Sequence, residues 1–185
     1  LLSTVKKKIK DEKVIWLIKQ ILNNFNVKTN GKGMPLGNLT SQFFANVYLN
    51  ELDYFVKHKL KAKDYIRYVD DFVIINKSPN QLEAWKEQID NLLNTNLKIS
   101  LHQEKSRILP LSNGLDFLGF RNFYHFKLLR RRNIRDMDRK IRLFRNGDIG
   151  LNFLLESLQG WFAYAKWANT YKLRKVIVAN LKPNF

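Results

Sequence analysis

The chain has 185 residues, of which 33 are Lys or Arg and 16 are Asp or Glu, giving a net charge of +17 with 45% hydrophobic and 13% aromatic content. That is the composition of a folded protein, one domain or a domain with an appendage, and not of a disordered chain. It has no cysteine, which excludes disulfides, thiolate metal sites and a Cys nucleophile, and no apolar run approaches the ~20 residues that cross a bilayer.

Taken in order, Ser3 is placed to cap a first helix whose apolar face continues through Val14, Ile15, Leu17, Ile18, Ile21, Leu22 and Phe25. Residues 26–33, NVKTNGKG, are a polar break. A second helix is expected over about 40–60, with Phe43, Phe44, Val47, Leu52, Phe55 and Val56 inward. The stretch YIRYVDDFVIIN (65–76) then reads as a hairpin. Ser78-Pro79 opens a third helix as N-cap and first-turn proline, with Leu82, Trp85, Ile89, Leu92 and Leu93 on its apolar face. Strand-like runs follow at 97–101, 106–111, 115–120 and 122–129, punctuated by Asn113-Gly114. After Leu129 the pattern becomes helical, from 134 to 144 and, with breaks, from 151 to 181. The order gives an α+β domain over 1–129 followed by an all-α segment over 130–185.

The charge is unevenly spread: residues 1–120 hold 18 basic and 12 acidic side chains, residues 121–185 hold 15 and 4. An excess of this size points to a polyanionic partner, bound mainly by the last third. No N-terminal stretch has the basic, apolar, small-residue order of a signal peptide, and the absence of cysteine fits a reducing cytoplasm, the setting expected. The Leu1-Leu2 start, in place of Met, reads as a piece of something longer.

Against this basic background Asp70 and Asp71 stand side by side in the most apolar hairpin. Adjacent carboxylates repel unless a cation neutralises them. Hard oxygen donors on a rigid turn suit Mg²⁺, and paired Mg²⁺ ions stabilise attacking and leaving oxygens in phosphoryl transfer. Asp is also a common turn residue, but this turn contains no Gly, Asn or Pro and is flanked by apolar strands.

YVDD between apolar strands resembles the metal-binding loop of reverse transcriptases. Four neighbours agree in type and order: GMPLGNLTSQFFANVYLNELD (33–53) resembles the segment before that loop, EKSRI (104–108) the lysine motif after it, GLDFLGF (114–120) the primer grip, and GWFAYAKWANTYKLRKVI (160–177) the thumb of group II intron-like enzymes. Within the first, LGNLTSQ (36–42) resembles the enzymes of diversity-generating retroelements, in which this departure accompanies error-prone copying of template adenines. The resemblance implies a polymerase palm, its first strand and the fingers absent, followed by an all-α thumb. It implies an RNA-directed DNA polymerase, bacterial or phage-encoded, using two Mg²⁺ ions (or Mn²⁺ in substitution), with RNA template, DNA primer and dNTPs as partners and an accessory RNA-binding protein compatible with the basic surface.

By the same resemblance Asp70 and Asp71 hold the metal ions, and Lys105 meets the triphosphate as general acid or charge partner. Gly37, Asn38 and Gln42 lie at the nucleotide or template base. Tyr68 lies near the primer terminus or the template, unless it serves only as a cross-strand aromatic partner. Leu118, Gly119 and Phe120 form the primer grip, and Arg130, Arg131, Arg132, Arg135, Arg139 and Arg142 bind phosphates of the duplex. Trp161, Tyr164 and Trp167 pack the thumb or stack on a base. The family also uses an Asp on the first palm strand. No acid in residues 1–30 has a matching setting, since Asp11 and Glu12 fall in a lysine-rich helical stretch, so residues 1–185 alone are expected not to polymerise. The alternative is a non-catalytic, maturase-like RNA-binding helper.

Overall fold

The structure is a computed structural model that describes residues 1–23, 39–179 and 181. Helices α1 (Leu2–Lys8), α2 (Glu12–Asn23) and α3 (Leu39–Tyr54) come first, followed by the hairpin strands β1 (Asp64–Tyr68) and β2 (Asp71–Ile75) and then α4 (Pro79–Leu92). Three short strands, β3 (Leu115–Phe117), β4 (Phe120–Asn122) and β5 (Lys127–Leu129), form an antiparallel meander. Helices α5 (Arg131–Arg145), α6 (Leu151–Ala165) and α7 (Tyr171–Ala179) complete the α+β architecture expected from the sequence. The chain divides into two compact units, Leu1–Ile108 and Leu109–Phe185. The change from strands to helices falls near Leu129 as expected, but the meander belongs to the same compact unit as the helices that follow it.

In the first unit, Val5, Ile15, Ile18 and Phe44 form one buried cluster where α1, α2 and α3 meet. Leu52, Val56, Trp85, Ile89, Leu93 and Leu97 form another, with Tyr65, Phe72 and Ile74 of the hairpin packed against it. Each fully buried aliphatic side chain there contributes about 1.5–3 kcal/mol over its exposed state. Helix α3 is therefore the backbone of the unit, because its two ends serve different cores. It ends in a π-helical turn, Phe55–Lys59, in which Val56 is wholly buried. Helix α4 starts as its sequence demands: Ser78 Oγ accepts from the Gln81 amide at 3.3 Å, with Pro79 following.

Several expectations are corrected. The first helix breaks at Ile9, which is extended, and its N-cap is Leu1 without a side-chain bond, so Ser3 does not cap it. Asp11 lies at that break and accepts from the amides of Lys13 and Val14 at 2.8 and 3.3 Å, capping α2 in place of lying inside a continuous helix. Phe43 faces outward at 64% exposure, and Leu17 is likewise exposed, since Ile15, Ile18 and Phe44 already fill the narrow three-helix contact. No strand forms at 97–101 or 106–111. Leu93–Leu97 continues α4 as a π-helical turn closed by Lys98 at φ +53°, and residues 106–110 have no regular structure. The runs 115–120 and 122–129 are each broken by a turn, at Leu118-Gly119 and at 123–126.

In the second unit, Met137, Ile141, Leu154, Leu158 and Ile177 form the core of α5, α6 and α7, with Trp161 packed against it and donating Nε1–H to the Asn133 carbonyl at 3.2 Å. The β5 edge is covered by the loop before α7. The Asn169 amide donates to the Lys127 carbonyl at 2.8 Å, and the Lys127 amide donates to Asn169 Oδ1 at 3.3 Å.

Candidate metal turn and nucleic-acid interface

Strands β1 and β2 pair in register from Asp64↔Ile75 to Tyr68↔Asp71, so the turn consists of Val69 and Asp70 alone. Period-2 alternation puts Tyr65 and Arg67 inward and leaves Ile66 and Tyr68 exposed. Val69 adopts φ +55°. A β-branched residue in the left-handed region is an outlier that costs roughly 1–2 kcal/mol. The turn projects Asp70 and Asp71, both exposed, on consecutive residues.

A side-chain network not anticipated from the sequence holds this turn. Arg67 Nε donates to Asp53 Oδ1 at 2.7 Å and Nη2 to Asp53 Oδ2 at 2.5 Å, a two-pronged pair between β1 and the end of α3. Arg67 Nη1 donates to the Val69 carbonyl at 2.6 Å and to Asn46 Oδ1 at 3.0 Å. The Tyr65 hydroxyl donates to Asp53 Oδ1 at 2.6 Å. The Arg67 side chain is only 9% exposed. Burial pushes the Asp53 carboxyl up, but hydrogen bonds from Arg67 and Tyr65 and the Arg67 charge outweigh it and hold the group below the usual carboxylate range. Burial and the hydrogen bond to the Asp53 carboxylate both push the Tyr65 hydroxyl well above the ordinary phenol range. The signal was present in the strand's parity: Arg67 shares the inward face with Tyr65, and an inward arginine requires an acid.

The remaining predicted residues divide. Asp70 and Asp71 are brought together with Tyr68, which lies opposite Asp71 in the register. No ring pairs with Tyr68 among the described residues, whereas Tyr65 and Phe72 contact with centroids 6.2 Å apart. Gln42 is exposed in the first turn of α3, and Gly37 and Asn38 lie outside the described residues. Lys105 is exposed in a short turn, its amide donating to the His102 carbonyl at 3.2 Å.

In the second unit Leu118 and Gly119 form the β3–β4 turn at φ +51° and +82°. Two successive positive φ values are the geometry of a two-residue hairpin turn that matches strand twist. Phe120 stacks on Tyr164 of α6 with centroids 4.7 Å apart, and Lys127 Nζ lies 5.0 Å from the Phe120 ring centre. A Cβ on Gly119 would run into the Tyr164 hydroxyl, so this glycine is required for close approach as well as for φ. Tyr164 is thus a packing partner of the turn, and Trp167 is exposed at 71%.

Of the six arginines, Arg130 precedes α5 and pairs with Asp116 at 3.3 Å. Arg132 and Arg139 both approach Asp136, at 3.9 and 3.8 Å. Arg131, Arg135 and Arg142 are exposed on α5 with no acidic partner among the described residues. Met137 and Ile141 are buried on α5, which keeps the guanidinium groups at the surface.

The family model for "Reverse transcriptase (RNA-dependent DNA polymerase)" matches residues 2–122. The chain belongs to the reverse transcriptase family. Its matched region contains the Asp70-Asp71 turn, the Arg67 network and the Leu118-Gly119 turn. Among curated relatives, the chain is similar to Protein YkfC of Escherichia coli (strain K12), 25% identical in a match that covers 65% of this chain and 42% of the relative. It is also similar to Group II intron-encoded protein LtrA of Lactococcus lactis subsp. cremoris, 26% identical in a match that covers 65% of this chain and 31% of the relative. The chain thus spans less than half the length of either relative.

The donor set fits a hard divalent cation. Two carboxylates on consecutive residues of a fixed turn could supply one or two oxygens to an ion such as Mg²⁺, whose other positions are ordinarily filled by water and substrate phosphate. No third His, Cys, Asp or Glu joins them among the described residues. No helix there is long and apolar enough to cross a membrane.

Proposed function

We propose that the chain supplies the palm (residues 1–129) and thumb (130–185) of a bacterial or phage RNA-directed DNA polymerase, which joins a dNTP to a primer 3′-hydroxyl on an RNA template. The observation that carries the reading is the β1–β2 turn, in which a strained, side-chain-held backbone presents two adjacent carboxylates at the end of an apolar hairpin of a family member. Strain retained at a turn is a mark of a functional site.

Asp70 and Asp71 hold Mg²⁺, which when bound supplies charge stabilisation for the oxygens that exchange at the α-phosphate. Gln42, with Gly37 and Asn38 before it, contacts the incoming nucleotide or template base. Tyr68, exposed beside Asp71, lies at the primer end. Lys105 offers an exposed ammonium to the triphosphate. The Leu118-Gly119-Phe120 turn grips the primer backbone, its shape kept by Tyr164. The exposed guanidinium groups of α5 bind duplex phosphates, so affinity falls with salt. Replacing Arg131, Arg135 and Arg142 together by Ala lowers the slope of log affinity against log salt by about 2–3.

The test is primer extension on a defined RNA by the complete natural polypeptide that carries this chain, with Asp70→Asn and Asp71→Asn as controls. Extension that disappears in both variants is expected. RNA binding without any extension would favour a maturase-like helper. Sequencing the cDNA adds the subclass: errors gathered opposite template adenines are expected if the LGNLTSQ segment marks a diversity-generating retroelement, and evenly scattered errors overturn it. Residues 1–185 in isolation are expected not to extend a primer, and template-dependent incorporation by them would refute that.

A further inference from the structure

Arg67 touches three residues of the first unit at once. One edge of its guanidinium lies against Asp53 through two hydrogen bonds of 2.7 and 2.5 Å, and the remaining nitrogen donates to Asn46 and to the Val69 carbonyl. Asp53 and Asn46 both belong to α3, so every partner of Arg67 except the turn carbonyl is fixed to that helix. The Val69 carbonyl belongs to the peptide that links Val69 to Asp70. Holding its oxygen fixes the plane of that peptide, and with it the direction in which Asp70 leaves the turn. Helix α3 is itself immobilised by Phe44 in one core and by Leu52 in the other. A chain of bonds therefore runs from a doubly anchored helix to the one residue at positive φ in the turn.

We propose that Arg67, seated on Asp53, is a positioning residue that sets the orientation of the Asp70-Asp71 carboxylates. Lysine cannot substitute. A point ammonium lacks the planar fork that meets both Asp53 oxygens while a third nitrogen reaches Val69. Tyr65 seats the other side of the clamp, since its hydroxyl donates to the same Asp53 oxygen that accepts from Arg67 Nε. The carboxylate stays ionised because both neighbours donate to it. The catalytic consequence rests on the polymerase reading above, but the mechanical one does not.

The experiment compares Arg67→Lys, Asp53→Asn and Tyr65→Phe with the parent in the complete polypeptide, using two readouts. The first is amide hydrogen exchange in metal-free buffer. Arg67→Lys is expected to speed exchange in peptides spanning 66–73 by about tenfold, with α4 unchanged, as befits a local opening. The second is single-turnover primer extension. Its rate constant is expected to fall by up to about 100-fold with primer–template affinity held within about twofold, the pattern of a misplaced reacting group. Asp53→Asn should act in the same direction and Tyr65→Phe more weakly.

Unaltered exchange at 66–73, or faster exchange throughout the first unit, would overturn the proposal. So would a rate loss matched by an equal loss of primer–template binding. If Arg67→Lys does not fold, Asp53→Asn decides by the same readouts, because it keeps one acceptor oxygen and the side-chain shape. Extension that survives in both Asp70→Asn and Asp71→Asn would remove the polymerase reading while the exchange data still judge the clamp.

Discussion

The β1–β2 and β3–β4 hairpins each turn on two residues, Val69-Asp70 in one and Leu118-Gly119 in the other. The second follows local rules at one of its two positions: both residues sit at positive φ, Leu118 strained there as Val69 is, while glycine takes the position where Tyr164 presses closest. The first does not. Its positive-φ residue is valine, there is no glycine, and Arg67 holds the Val69 carbonyl instead. A turn with glycine at its most crowded position is in part written locally. A turn that presents two adjacent carboxylates is instead held from a neighbouring helix, at the cost of a partly buried ion pair and a strained residue.

The sharpest break in this comparison is functional. Asp70→Asn and Asp71→Asn are each expected to cut primer extension by about 100-fold or more, the scale for losing a group that stabilises transition-state charge. Thermal unfolding should barely move, because both side chains are exposed and make no hydrogen bond or ion pair within the described residues. Gly119→Ala has the opposite profile, with a stability loss and a graded effect on primer binding, because it distorts shape and removes no ligand.

The next effect separates the hairpins by pH. Asp53→Asn is expected to cost about 2 kcal/mol at neutral pH, the scale for hydrogen bonds to a charged group when the pair is partly exposed. In the parent, the folded carboxyl titrates below its unfolded value of about 3.9, so its contribution is complete above that pH and is lost as pH falls through the lower folded value. The groups facing it are Arg67, which stays charged throughout, and Tyr65, whose hydroxyl stays protonated in this range. Denaturant unfolding from pH 7 down to about 2.5 should therefore show the parent and Asp53→Asn curves converging in acid. Curves that remain parallel would mean that the Asp53 charge does not stabilise the fold.

How much of this could be read beforehand follows from the same contrast. The hairpin, the Ser78-Pro79 helix start and the amphipathic α5 were legible because period and capping are local properties. Asp70-Asp71 was legible because paired acids are conspicuous in a basic chain. The clamp was not, because Asp53 and Arg67 are 14 residues apart on different elements, and the Asp53–Arg67 bond exists only once α3 lies beside β1. The supposed strands at 97–101 and 106–111 misled for a related reason. Short apolar runs carry no period of their own, and Leu93, Leu97 and Leu101 are placed by packing with Ile89 and Trp85. Gly119 was legible as part of a motif, but its necessity came from Tyr164, 45 positions later in the chain.

A pair of substitutions gives the third and fourth predictions, by exchanging the turn chemistries. Gly119→Ala adds a Cβ at φ +82° and drives it toward the Tyr164 hydroxyl, for an expected loss of about 1–2 kcal/mol. The reverse change, Val69→Gly, has terms of both signs. It relieves the roughly 1–2 kcal/mol that valine incurs in the left-handed region, yet adds about 0.5–1 kcal/mol of unfolded-state entropy and loses the contacts of a half-buried side chain. The sum is expected within about 0.5 kcal/mol of zero, whereas Val73→Gly, at ordinary strand geometry on β2, should cost several times more. Chemical denaturation of the three variants decides. A Val69→Gly loss as large as that of Val73→Gly would mean that the Val69 backbone carries no strain, and that Arg67 holds a turn that would have formed without it.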